Sequence, residues 1–181
     1  MTICFATNNL HKLEEARQVI PEEFTIHSLS EIGCREDLPE TQKTIEGNAI
    51  QKALFVKEKF GVDCFSDDTG LEVEALNGAP GVDTAHYAGP DRNSDQNMAL
   101  LLKNLEGKSN RNASFKTIIA CVWQGELYQF EGRVSGTIAL QPKGKLGFGY
   151  DPVFIPDGYE KTFAELGPEV NNRLSHRALA L

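Results

Sequence analysis

With 181 residues, 40% hydrophobic and 24% charged, the chain is long enough for one domain, or one domain with a lobe division, around a substantial core. Its formal charge of −8 argues against a broad nucleic-acid-binding face, while leaving room for a small anion held by a local basic cluster. No run approaches the ~20 apolar residues of a membrane helix, and Met1 to Thr7 lacks the basic region and long apolar core of a signal peptide.

Residues 2–7 read as a first strand. Asn8-Asn9 is a turn and helix-cap signal, and Leu10, Leu13, Ala16, Val19 and Ile20 then fall on one helical face that Pro21 closes. Phe24 to Leu29 alternates as a second strand, and residues 30–43 form a polar loop containing Asp37-Leu38-Pro39-Glu40. A helix is expected from about Thr44 to Phe60, stopped by Gly61.

Val62 to Phe65 reads as the end of a strand that delivers Asp67 and Asp68, then Thr69, then Gly70 where the backbone can turn. Two adjacent carboxylates repel, so a buried pair needs a cation beside it or has one pKa raised. Neighbouring side chains on an extended segment point to opposite sides. One Asp is therefore expected to face a metal directly, with Mg2+ the usual partner of oxygen ligands and phosphate, and the other to touch a second group.

Residues 77–91 form a Gly/Pro-rich loop before a helix over 91–105. Two strands, 113–123 and 126–134, flank a Gln124-Gly125 turn, and a further strand is expected over 136–140. Strands alternating with helices indicate an α/β fold. Gly144, Gly147 and Gly149 stand among Phe148 and Tyr150, where a planar ligand can approach the backbone and stack. A last helical stretch runs over 171–181 and carries Ser175-His176-Arg177. The four cysteines form no C-x-x-C pair, and three lie in strand-like runs, so reduced, mostly buried thiols in a cytoplasmic protein are expected.

Thr7-Asn8-Asn9-Leu10-His11-Lys12 sits at a strand-to-helix junction, where free amides and the Lys12 charge suit an anion. Each piece alone has a plainer alternative: an Asn cap over 7–12, an Asp-rich junction at 67–68, a bulge or hairpin over 144–152, a solvated helix face over 175–177. No Walker A loop, Rossmann fingerprint or G-x-S-x-G elbow is present.

The ordered set is more specific. Ala6-Thr7-Asn8-Asn9 with Lys12, Glu46-Gly47-Asn48-Ala49 with Lys52-Ala53, Asp67-Asp68-Thr69-Gly70-Leu71-Glu72-Val73, Gly147-Phe148-Gly149-Tyr150-Asp151-Pro152 and Ser175-His176-Arg177 follow in turn. In order and spacing they resemble the inosine/xanthosine triphosphate pyrophosphatase family, over almost the whole chain.

The resemblance implies an α/β fold with an elongated, two-lobed mixed sheet, flanking helices and a central substrate cleft, spanning residues 1–181 as one nucleoside triphosphate pyrophosphatase domain. It implies a homodimer that hydrolyses the α–β anhydride of ITP, dITP and XTP to monophosphate and pyrophosphate with Mg2+. No nucleic-acid polymer or membrane partner is implied. Carried over by position, Thr7, Asn8, Asn9, Leu10, His11 and Lys12 grip the triphosphate. Asp68 is metal ligand and proton acceptor, Asp67 its supporting acid, and Glu40 a second metal ligand. Thr69 contacts substrate, and Phe148, Gly149, Tyr150, Asp151, His176 and Arg177 line the base pocket. Asn171 occupies a substrate-contacting position where the family commonly has Lys. A related pyrophosphatase for other nucleotides, and a nucleotide-binding protein with little turnover, are the alternatives.

Overall fold

The computed structural model describes residues 1–174 and Ala180, and for His11 and residues 171–173 the backbone alone. The chain is a mixed α/β protein built on a seven-stranded mixed sheet with flanking helices. Its elements are β1 (Thr2–Phe5), α1 (Leu10–Val19), β2 (Thr25–His27), α2 (Ile45–Phe60), β3 (Cys64–Val73), β4 (Pro80–Gly81), α3 (Ser94–Asn104), β5 (Asn112–Trp123), β6 (Glu126–Ile138), β7 (Phe154–Pro156), α4 (Phe163–Leu166) and α5 (Pro168–Leu174). The strand order is β2-β1-β3-β5-β6-β7, with β4 on β3. β1 is parallel to β2 and β3, whereas β4 on β3 and β7 on β6 are antiparallel. The chain divides into two compact units, and the division falls inside β3, β5 and β6.

The first unit holds Met1–Asp68 and Thr117–Gly132. Parallel neighbours need crossovers, which α1 and α2 supply. Ile3, Phe5, Phe65 and Ile119 pack with Leu13 and Ala16 of α1, and the Phe5 and Phe65 rings stack at 4.4 Å. The intervening residues of β3 face α2: the Cys64 thiol donates to the Ala53 carbonyl at 3.2 Å, and the Ser66 hydroxyl donates to that of Ala49. Local chemistry sets the ends of α2. The Thr44 hydroxyl accepts from Gly47 N, and Gly61 takes the left-handed conformation with φ 70. The Gln124-Gly125 turn has φ 49 and 86, as a two-residue hairpin requires. The four cysteines are free thiols, three buried and Cys121 half-buried.

The second unit holds Thr69–Lys116 and, among the described residues, Arg133 through Leu174, while Ala180 belongs to the first. Leu71 and Val73 of β3, Met98, Leu101 and Leu105 at α3, and Tyr150 share its core. Phe154 packs between Phe115 and Phe163 at 4.7 and 5.3 Å.

Four expectations are corrected. β3 does not end before the acidic pair, and Gly70 is no turn; pairing of Leu71 and Glu72 with Gly81 and Pro80 keeps the strand extended to Val73. β6 is one strand through Ser135, because β7 pairs with Gly136 to Ile138. A Cβ on Gly136 would come within 2.2 Å of the Ile155 carbonyl oxygen, so the close approach requires glycine. α3 begins at Ser94 rather than 91, where the Asn93 side chain accepts from Gln96 N. α5 begins at Pro168, a residue suited to a first helical position. The remainder of the expected 171–181 helix lies outside the described residues apart from Ala180.

Candidate active site

Strand alternation divides the two acids. Phe65 packs on the α1 side of β3 and Ser66 on the α2 side, so Asp67 returns to the α1 side and Asp68 to the α2 side. Each meets its own lysine. Lys12, in the first turn of α1, grips Asp67 with contacts of 3.0 and 2.8 Å to its two oxygens. Asp67 is 1% exposed, and an ammonium bridging both oxygens stabilises its charge at that depth. The backbone before Lys12 is fixed by its own side chains. Thr7 Oγ1 accepts from Asn9 N, and Asn9 Oδ1 accepts from Lys12 N, both at 3.2 Å. Asn8, Asn9 and Leu10 stand exposed at this helix N-terminus, where amide groups and the helix dipole favour an anion.

On the other face, Lys52 of α2 donates to Glu40 Oε1 at 2.7 Å and lies 3.7 Å from Asp68 Oδ1. Burial pushes the Asp68 carboxyl up to about 6; the Lys52 and Lys12 ammonium groups pull it back, while Glu40 and Asp67 push it further. Burial also works against the Lys52 charge. The carboxylates of Asp68, Asp67 and Glu40 outweigh it and hold that ammonium above the ordinary lysine range. The cation is thus firmly kept, Glu40 takes the shorter bond, and Asp68 holds a proton more readily than an ordinary aspartate.

Glu40 reaches this point because α2 clamps its loop. Gln51 accepts from Thr41 N at 2.9 Å and donates to Thr41 Oγ1 at 2.8 Å, and Asn48 Oδ1 accepts from Gln42 N at 2.9 Å. Gly47 lies against the same loop; a Cβ there would fall 2.8 Å from that of Gln42. Sequence reasoning placed Gly47, Asn48 and Lys52 in a motif but gave them no roles. Lys52 follows Ala49 by three and precedes Val56 by four, on the buried stripe of α2, and a lysine there was the available signal. Among the described residues, no three His, Cys, Asp or Glu side chains converge as a metal cluster.

The Gly-Phe-Gly-Tyr-Asp segment belongs to the second unit. Phe148 is 58% exposed, whereas Tyr150 is 4% exposed, packs in the core and donates its hydroxyl to the Thr84 carbonyl at 2.8 Å. Of the two aromatics expected to offer a stacking face, Phe148 is open to solvent and Tyr150 is buried in the core of this unit. Asp151 is also buried, and its Oδ2 accepts from Phe148 N at 3.0 Å, which shapes the loop. Gly147 (φ 80) leaves room for that carboxylate; a Cβ there would lie 2.2 Å from Oδ2. Gly149 is left-handed with open space around it, and Thr69 is half-buried on β3. His176, Arg177 and the side chains of His11 and Asn171 lie outside the described residues.

Comparison with known proteins matches residues 3–181 to the model of the Ham1 family. A dITP/XTP pyrophosphatase of Flavobacterium johnsoniae is 52% identical over 181 residues, covering 100% of this chain and 94% of that protein. One of Porphyromonas gingivalis is 52% identical over 180 residues, covering 99% and 93%. The solved structure of the Staphylococcus aureus Ham1 protein superposes with a TM-score of 0.93 at 36% identity, covering 99% of this chain and 94% of its own.

Proposed function

This chain belongs to the Ham1 family, and from that premise we propose that it is a nucleoside triphosphate pyrophosphatase. It hydrolyses non-standard purine nucleoside triphosphates, ITP, dITP and XTP, to the monophosphate and pyrophosphate, and so cleans the nucleotide pool. The observation that carries the reading is the pair of lysine-bridged acids on opposite faces of β3, Asp67 with Lys12 and Asp68 with Lys52 and Glu40. Such an arrangement offers cations to a polyanion and a carboxylate to a proton.

Asp68 is the proton acceptor. In the metal-free protein burial lifts its acidity to about 6, so it is more basic than a free aspartate, and a bound cation would draw it back down. Water forms a bond to phosphorus at the α–β anhydride, the bridging P–O bond breaks, pyrophosphate leaves, and the water proton passes to the Asp68 carboxylate. Lys12 and the first-turn amides of α1 hold the phosphates, with Thr7, Asn8, Asn9, Leu10 and His11 shaping that grip. Thr69, the next residue of β3, contacts substrate in this reading.

Glu40 and Asp68 would hold Mg2+. Their oxygens already converge on one cation, the Lys52 ammonium, and two hard carboxylates with the rest left to water and phosphate suit this ion. When bound, Mg2+ neutralises phosphate charge and polarises phosphorus. Phe148 stacks on the base, and His176 and Arg177 donate to its 6-oxo group. An adenine would turn its amino donor toward those donors, a mismatch of about 1–3 kcal/mol per unpaired buried group. A homodimer in the cytoplasm completes the reading; among the described residues no helix is long and apolar enough to cross a membrane.

The test is pyrophosphate release from ITP, XTP, ATP, GTP and dTTP, with Mg2+ and with chelator. Release from ITP and XTP only in the presence of Mg2+ is expected. Equal rates on ATP and ITP would remove the base specificity, and no release from any nucleotide would remove the enzyme.

A further inference from the structure

Lys52 stands where a divalent cation would have to bind. Its ammonium touches Glu40 Oε1 at 2.7 Å and lies 3.7 Å from Asp68 Oδ1, and the residue is 6% exposed. A dication brought to the same two carboxylates would meet a like charge at contact distance, on a lysine that is itself buried although Glu40 is open to water. The carboxylates themselves have no need to move. Glu40 is held by a loop that Gln51 and Asn48 clamp to α2, and Asp68 sits on a paired strand. The flexible part is the four-carbon side chain of Lys52, on a helix capped at both ends.

We propose that Lys52 is a resident counter-cation that keeps divalent ions off Glu40 and Asp68 until a triphosphate arrives to take its ammonium. Metal loading is then nucleotide-dependent. The lysine offsets part of the charge of the two acids in the empty protein and exchanges them for phosphate oxygens when substrate and metal enter together. No bond is made or broken in this exchange; a salt bridge to Glu40 is traded for one to phosphate. The device rests on the Mg2+-dependent reading above, and its test separates the two.

Mn2+ binding to nucleotide-free protein is measured by electron paramagnetic resonance for wild type, Lys52→Met and Lys52→Gln, with thermal melts to verify folding. Both variants are expected to bind Mn2+ about tenfold more tightly than wild type, or better, because a like charge is gone and two carboxylates remain. Adding Glu40→Gln should erase the gain. Equal affinity in wild type and folded variants overturns the proposal. A second measurement needs no variant: a crystal structure of wild type with Mn2+ and an ITP analogue bridged by methylene between the α- and β-phosphorus. The Lys52 ammonium should lie on a phosphate oxygen, beyond hydrogen-bond reach of Glu40. An ammonium still on Glu40 while Mn2+ sits on Glu40 and Asp68 overturns the proposal even if the variants do not fold. Failure of wild type to release pyrophosphate from ITP would strike the functional reading alone, since the nucleotide-free comparison still decides the part played by Lys52.

Discussion

Replacing Asp68 by Asn should destroy activity and at the same time make the metal-free protein more stable. Burial raises this carboxyl from an ordinary 3.8 to about 6. At ~1.36 kcal/mol for each tenfold change in acidity, the rise from 3.8 to about 6 means that ionised Asp68 costs the fold up to about 3 kcal/mol at neutral pH. The folded protein binds the proton more tightly than the unfolded chain, so between pH 3.8 and 6 it carries more protons. Stability therefore falls as pH rises through that window, and the cost is fully present above it. Asn cannot ionise, and the attraction to Lys52 that it gives up is already counted against burial in that net rise. For a chain of this size the gain corresponds to a Tm rise of several degrees, roughly 2–4 °C per kcal/mol. Melting wild type and Asp68→Asn in chelator at pH 4.5, 6 and 7.5 tests this, alongside pyrophosphate release from ITP with Mg2+. The stability difference should be largest at pH 7.5 and shrink toward pH 4.5. A variant less stable than wild type at pH 7.5, or a difference independent of pH, would refute the reasoning about burial; wild-type turnover would remove Asp68 from the chemistry.

Phe148→Ala should raise KM for ITP about two- to tenfold through lost stacking, with stability within about 0.5 kcal/mol because the ring is exposed; an unchanged KM would place the base elsewhere. Tyr150→Phe should do the reverse. Loss of the bond to the Thr84 carbonyl costs about 1 kcal/mol of stability, read by denaturant melts, while KM for ITP moves less than about twofold; a larger KM change would return Tyr150 to the base pocket. Asn171→Lys should increase kcat/KM for ITP, since a charge-assisted hydrogen bond is worth ~1.5–3 kcal/mol, and a change under about twofold would mean that this position does not touch substrate.

The sequence alone determined features whose causes are local. Thr44 and Gly61 bound α2 because a hydroxyl cap and a left-handed glycine act within one turn of the helix. Gln124-Gly125 marked a hairpin because its backbone conformation is set by two residues. Alternation of side chains on an extended segment was enough to separate Asp67 from Asp68, and the structure gives each a different lysine. Only the tertiary structure decided what depends on distant partners. β3 runs past Gly70 because β4 pairs with it, and neither strand alone specifies that pairing. Phe148 and Tyr150 look alike as neighbouring aromatics; which one is buried depends on partners distant in the chain, among them the Thr84 carbonyl sixty-six residues earlier. Lys52 reads in sequence as one charge among several on an amphipathic helix. Its position between Glu40 and Asp68 follows only once a clamped loop and a paired strand bring two acids to one ammonium, because burial and charge pairing act through space and not along the chain.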